Sequence, residues 1–303
     1  MPTELTPALA AALGALQGVA EFLPISSSGH LALAELLTGL DAESVGHSFN
    51  IVVHAGTLLA VLIHYRADLL ALARAAVSRA VVPLPAPGPD PLAHGTGLEV
   101  QDPEDIRPNR VGPPPNTARA LLVALILGTL PLSAALAPPV ERLVIAAEHT
   151  PQAVGACFLL TALMLAFAHR RTGRAREPLA TPRPWQAVVI GLAQLVAILP
   201  GVSRSGATMA AAMGLGLGRL PAARFSFLLS VPAILGASIK EAVDLARHGA
   251  PAIAPATFFI GFFVSFVVGA ITLRLLIHLL VRVGLLPFVP YLLALGLAVL
   301  VLA

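Results

Sequence analysis

Apolar residues run along this chain in long, nearly charge-free blocks and not in the short alternation of half-buried strands. Residues 121–137, 153–168, 185–200, 222–239, 256–281 and 285–303 are such blocks, and each approaches the ~20 residues that a helix needs to cross hydrocarbon. Residues 47–65 form a weaker block of the same kind. The pattern predicts single crossings at about 47–65, 120–138, 151–168, 222–246, 255–279 and 286–303, hence an all-α polytopic membrane protein with six transmembrane helices. Two further apolar stretches, roughly 7–40 and 185–218, are interrupted midway by Pro, Gly and Ser. A break exposes backbone groups that hydrocarbon does not tolerate unless protein or a cavity surrounds them. Both stretches are therefore predicted to be re-entrant helix–break–helix segments.

The two broken stretches resemble each other. "EFLPISSSGHLALA" and "AILPGVSRSGATMAAA" share Leu-Pro, then Ser-x-Ser-Gly, then a small-residue helix, and Ser26–Gly29 corresponds to Ser203–Gly206 at an offset of 177 residues. Segments containing Ser-Phe follow each break, "SFNIVVHAGTLLAV" and "SFLLSVPAILGA". The arginines set the orientation, because basic residues favour cytoplasmic loops. Arg66, Arg74, Arg79, Arg107, Arg110 and Arg119 border one loop and Arg170, Arg171, Arg174, Arg176 and Arg183 another, whereas the loops near 138–150 and 247–254 carry only Arg142 and Arg247. The first break is then reached from the outer face and the second from the cytoplasmic face, which is an inverted-topology repeat. Residues 1–303 form a single integral membrane domain, with a first repeat over 1–168 and a second, inverted one over 184–303. A Pro-rich cytoplasmic loop at 80–118 is inserted in the first and reads as linker.

Composition agrees: 57% of residues are hydrophobic and only 12% charged, against about 25% charged in soluble domains. The net charge of +3 says little about nucleic acid. No Lys or Arg precedes Arg66, so the first segment lacks the basic start of a secretory signal and is expected to be retained. The single cysteine, Cys157, lies in an apolar block and excludes a disulfide framework.

The chemistry-bearing residues concentrate at the breaks. A carboxylate inside a membrane helix is costly and usually faces a cavity or a partner; Glu21 is one, with Gln17 a helical turn before it and Pro24 ending the helix. Ser26, Ser27, Ser28 and Gly29 then open a new helix, whose hydroxyls and N–H groups suit an anion, and His30 is a candidate acid, base or nucleophile. The second break supplies Ser203, Arg204, Ser205, Gly206 and Thr208. Arg204 is the only basic residue between Arg183 and Arg219, and its planar fork of donors matches phosphate oxygens. Together these groups suit phosphoryl transfer on a lipid phosphate; a structural Glu21–Arg204 bridge is the plainer reading of the same charges.

"LQGVAEFLPISSSGH", "PGVSRSGAT" and "RFSFLLSVPAILGA" together resemble the bacterial undecaprenyl-diphosphate phosphatase family, also known for bacitracin resistance, and the similarity covers nearly the whole chain apart from the Pro-rich loop. The family's Glu/Gln-x-x-x-Glu pattern is met by Gln17 and Glu21, its Ser/His motif by Ser27 and His30, and its Gly-x-Ser-Arg-Ser-Gly-x-Thr motif by Gly201 to Thr208. The resemblance implies a membrane-embedded phosphoric anhydride hydrolase that converts undecaprenyl diphosphate to the monophosphate and recycles the carrier lipid for cell-wall synthesis. It also implies a multi-pass location in the bacterial inner (plasma) membrane and a divalent cation, magnesium or calcium, with Glu21 a candidate ligand. On this reading Glu21, Ser27, His30 and Arg204 are catalytic, and Gln17, Ser26, Ser28, Gly29, Ser203, Ser205, Gly206 and Thr208 bind substrate.

Three features depart from the family pattern: Gln17 where many members have Glu, Asn50 and His54 where an acid and a glutamine are expected, and a longer Pro-rich loop. Asn50 and His54, four residues apart, are candidates for the cavity wall. Ser27 is either the attacking nucleophile or a positioning hydroxyl. The rival function is a transporter or flippase that binds a polyprenyl phosphate without cleaving it, since discontinuous helices and midplane polar groups serve transport as well. The sequence also admits a homo-oligomer.

Overall fold

The computed structural model describes residues 5–40, 47–77, 113–171, 179–248 and 254–302. The described residues are almost entirely helical and include an isolated bridge between Leu179 and Leu217. In chain order the helices are α1 (Pro7–Ala20), α2 (Ser27–Thr38), α3 (His47–His64), α4 (Arg66–Val77), α5 (Pro115–Thr129), α6 (Pro138–Glu148), α7 (Pro151–Arg171), α8 (Pro184–Val196), α9 (Arg204–Gly214), α10 (Arg219–His248), α11 (Pro255–Arg282) and α12 (Phe288–Leu302). A 3-10 stretch, Leu130–Leu136, prolongs α5.

Four helical segments have the length and apolarity of a membrane crossing: Asn116–Leu136, Pro151–Arg171, Arg219–Lys240 and Pro255–Arg282. The pair α3 and α4 makes a fifth if counted as one span, bent by 78°. This is a multi-pass membrane protein. The segment predicted over 286–303 differs in length. Gly284 takes a positive φ of 73° in the turn that precedes it, so α12 starts only at Phe288 and has 15 residues, about 22 Å at 1.5 Å per residue. The predicted outer loop near 138–150 contains α6, opened by Pro138 at its first position, where proline's fixed φ suits a helix start. The Pro-rich loop lies outside the described residues except for its end, where Pro115 begins α5 and makes residues 115–118 helical.

Both predicted breaks are present. Thr6 caps α1 by accepting from the Leu9 N–H at 3.2 Å, and α1 stops just before Pro24. α8 starts at Pro184, with the Arg183 N–H donating to Gln186 Oε1 at 2.8 Å, and stops before Pro200. The offset that relates the two serine motifs also relates Pro7 to Pro184 and Ser27 to Arg204, the first residues of α1 and α8 and of α2 and α9. It further relates two close helix crossings. A Cβ at Gly14 of α1 would stand 2.6 Å from the Gly261 carbonyl oxygen of α11, and one at Gly191 of α8 would strike the Gly128 carbonyl of α5. Small residues at such crossings let membrane helices approach backbone to backbone. Each broken segment is thereby clamped by a helix from the other half of the chain, and the breaks face each other in the middle of the bundle.

Around them the core is aromatic and aliphatic. Phe22, Phe158, Phe225, Phe227, Met209 and Leu273 are all but fully buried. Phe22 meets Phe227 edge to face at 5.6 Å between ring centres, which ties the first break to α10. An ion pair between Asp68 of α4 and Arg224 of α10 holds the bent helix against the same element.

Candidate active site

Glu21 is the residue after α1, and its N–H still donates to the Gln17 carbonyl at 2.9 Å. Pro24 lacks an N–H and prevents the helix from continuing, so the carboxylate is held where the chain turns away. Its surroundings bury it to 7% exposure, and both oxygens are engaged. Oε1 forms an ion pair with Arg204 Nη2. Oε2 accepts from Gln17 Nε2 at 3.0 Å and from Ser27 Oγ at 2.6 Å. The Ser27 contact has the length of a charge-assisted O–H···O bond. Four predicted residues from three chain segments therefore form one network around a single carboxylate.

The two loops interlock to make that meeting possible. Ser26 takes a φ of 74°, a conformation that non-glycine residues rarely adopt and that proteins tend to keep at functional sites. There its Oγ accepts from the Gly29 N–H at 3.3 Å. Ser203 does the same for Gly206 at 3.1 Å. The hydroxyl pairs Ser26–Ser28 and Ser203–Ser205 both stand 3.3 Å apart. Ser205 also reaches across to donate to the Leu23 carbonyl at 3.4 Å. Gly29 and Gly201 nearly touch: a Cβ on Gly29 would lie 2.8 Å from the Gly201 Cα. Gly201, at a φ of 95°, needs the freedom that only glycine has there.

Two of the predicted residues are placed differently from the rest. Thr208 is fully buried, and its hydroxyl joins Ser226 of α10 at 2.6 Å and its own helix at the Arg204 carbonyl, 2.7 Å away. It holds α9 to α10. His30 keeps its ring away from the carboxylate network: Nδ1 bonds the Ser26 carbonyl at 2.7 Å and Nε2 the Tyr291 hydroxyl at 2.6 Å.

The structure adds residues that sequence reasoning did not single out for the site. Thr161 of α7 donates to the Gly201 carbonyl at 3.1 Å and accepts from the Ser203 N–H at 3.1 Å, pinning the second loop from the side. Ser226 and Tyr291 belong to the same group. Nothing local in the sequence distinguishes them from packing residues. His54, a candidate for the cavity wall, brings Nε2 to 3.7 Å from Glu21 Oε2. Its Nδ1 donates to the Asn50 carbonyl at 2.6 Å, and Asn50 donates to Glu35 at 3.2 Å.

The fit of a divalent cation rests on the same atoms. Among the described residues no group of three or more His, Cys, Asp or Glu side chains could hold a metal ion. Beside Glu21, however, Gln17 Oε1 is buried without a hydrogen-bond partner and is an oxygen of the type that magnesium and calcium take. Glu21 and Gln17 thus fit a cation that draws its remaining ligands from phosphate and water, as magnesium commonly does. They do not form an all-protein cage.

The chain that builds this network also matches a known family. The family model described as bacitracin resistance protein BacA matches residues 10–298. The chain belongs to this family. Its relatives include the undecaprenyl-diphosphatase of Geobacter sulfurreducens, 39% identical over 294 residues, 96% of this chain and 96% of that protein. The undecaprenyl-diphosphatase of Alcanivorax borkumensis is 38% identical over 291 residues, 95% of this chain and 96% of its own. That of Rubrobacter xylanophilus is 35% identical over 286 residues, 94% and 93%. As a BacA-family member the chain is matched almost end to end, with both breaks inside the matched residues.

Proposed function

We propose that this chain hydrolyses undecaprenyl diphosphate to undecaprenyl phosphate and inorganic phosphate at the Glu21–Arg204 site, in the inner membrane of a bacterium. The names of its relatives support the substrate. The observation that carries the reading is on Arg204: Nη2 pairs with Glu21, while Nη1 is buried with no hydrogen-bond partner. Buried guanidinium donors are seldom left unpaired, and a phosphate oxygen is the acceptor that a fork of parallel N–H groups fits best.

The chemistry then follows from the network. Ser27 Oγ attacks the terminal phosphorus and passes its proton to Glu21 Oε2, its hydrogen-bond partner at 2.6 Å. The bond from that phosphorus to the bridging oxygen breaks, and undecaprenyl phosphate leaves with the electron pair. Water attacks the phosphoserine, the Ser27 oxygen regains a proton from Glu21, and inorganic phosphate departs. Arg204 offsets charge on the phosphoryl oxygens, where such stabilisation acts most strongly in a site that excludes water. The N-termini of α2 and α9 add the positive ends of two helix dipoles. Glu21 and Gln17 would hold a divalent cation, which would supply further neutralisation of phosphate charge.

The inverted-repeat layout belongs to the same proposal. It is supported by the common offset of helix starts and serine caps and by the two glycine crossings. It has each half of the chain supply one side of a midplane site.

The test is purified protein in detergent with undecaprenyl diphosphate. Release of inorganic phosphate together with undecaprenyl phosphate is the expected result. Saturable binding of the lipid without release would overturn the hydrolase reading in favour of transport.

A further inference from the structure

Both ring nitrogens of His30 are engaged by neighbours. The Ser26 carbonyl at 2.7 Å from Nδ1 can only accept, so Nδ1 carries a proton and the neutral ring presents Nε2 as an acceptor. The group that meets Nε2 is the hydroxyl of Tyr291, at 2.6 Å, 261 residues away on α12. Phe158 of α7 stands edge-on to the imidazole, with centres 5.3 Å apart, and the Tyr291 ring lies parallel to it within 8° at 5.8 Å. Tyr291 itself is 46% exposed on the outer surface of the bundle, in a helix that is otherwise aliphatic and aromatic. A phenol there needs a partner for its hydroxyl, since lipid offers none, and it finds that partner by turning inward.

We propose that Tyr291 is a positioning residue for His30, donating to Nε2 so that the imidazole is held as the Nδ1–H tautomer in one orientation beside the Ser27–Ser28 turn. The second hydrogen bond of a histidine selects its tautomer, and a site group acts well only when its own supports lock it. α12 is thereby part of the site: it supplies the hydrogen-bond partner of His30 Nε2. The inference rests on the hydrolase reading for its kinetic arm only.

Tyr291→Phe removes one oxygen and keeps the ring that lies against His30. The expected result is a fall in kcat of about tenfold, below the roughly 10²- to 10⁴-fold that an acid–base group itself contributes because Tyr291 acts only through His30, with KM for undecaprenyl diphosphate within about twofold, because Arg204 and the serines are untouched. On a His30→Ala background the same substitution is expected to cost nothing further, since residues acting as a unit are not additive. Nitrogen NMR of histidine-labelled protein gives a readout independent of turnover. One histidine in the wild type is expected to show a protonated Nδ1 and a hydrogen-bonded Nε2, and that signal is expected to shift in Tyr291→Phe. Unchanged histidine signals would overturn the proposal, as would wild-type kcat in the single variant or a full additional loss on the His30→Ala background. If the wild type itself releases no phosphate, the hydrolase reading fails while the NMR arm still decides the role of Tyr291.

Discussion

Glu21 and Arg204 lie 183 residues apart in the chain, yet their side chains form an ion pair at the point where two broken helices face each other. A buried pair of this kind gains little net stability, because desolvation offsets the attraction. Its use lies in what it arranges: Glu21 is held against Ser27, and Arg204 keeps a second nitrogen free.

The role of Ser27 gives the first prediction. If its oxygen attacks phosphorus, Ser27→Ala loses phosphate release to background, and wild-type protein quenched during turnover contains phosphoserine at Ser27 by mass spectrometry. Substantial residual release from Ser27→Ala would reduce the hydroxyl to positioning.

Glu21→Gln removes the proposed base and leaves the shape. A loss in kcat of about 10²- to 10⁴-fold is expected from the loss of general-base assistance. Binding of the lipid diphosphate, measured separately, is expected to persist because Arg204 is freed from its carboxylate partner.

The unpartnered amide oxygen of Gln17 gives a prediction about a cation. With the Gln17 amide oxygen unpartnered and the one carboxylate already paired with Arg204 and Ser27, the substrate-free protein is expected to bind magnesium or calcium weakly. Gln17→Glu adds a second charge and is expected to tighten calcium binding in calorimetry of the substrate-free protein by about tenfold or more, as ligand charge raises affinity for hard cations. Equal affinity of the two proteins would remove Gln17 from the cation's surroundings.

The glycine crossings predict paired effects on stability. Gly14→Val and Gly191→Val each force a side chain into a facing backbone and are expected to cost about 1–3 kcal/mol, as overpacking does. Gly236→Ala, with nothing within 4 Å of its Cβ, is expected to leave the melting temperature unchanged. Thermal unfolding in detergent reads all three.

Much of this site was visible in the sequence because its residues violate their surroundings. Glu21 and Arg204 are charges in apolar stretches, and Pro24, Pro200 and Gly201 break helices that hydropathy would continue. Such conflicts are local, so a single chain displays them. Tyr291, Thr161 and Ser226 conflict with nothing: a tyrosine, a threonine and a serine are ordinary in membrane helices, and their partners lie up to 261 residues away. Only packing assigns them. Thr208 shows the converse, since its motif position suggested substrate while its hydroxyl is engaged with Ser226. The 78° turn between α3 and α4 was equally hidden, as was the long-range contact of Asp68 on α4 with Arg224 on α10.

The central claim is that the two breaks form one reactive unit. It is tested most directly by phosphate release from undecaprenyl diphosphate in a cycle of Glu21→Gln, Arg204→Ala and the double variant. Groups acting together give a double variant about as slow as the slower single one, and that is the result expected. Losses that multiply independently, or near-normal release from either single variant, would contradict it.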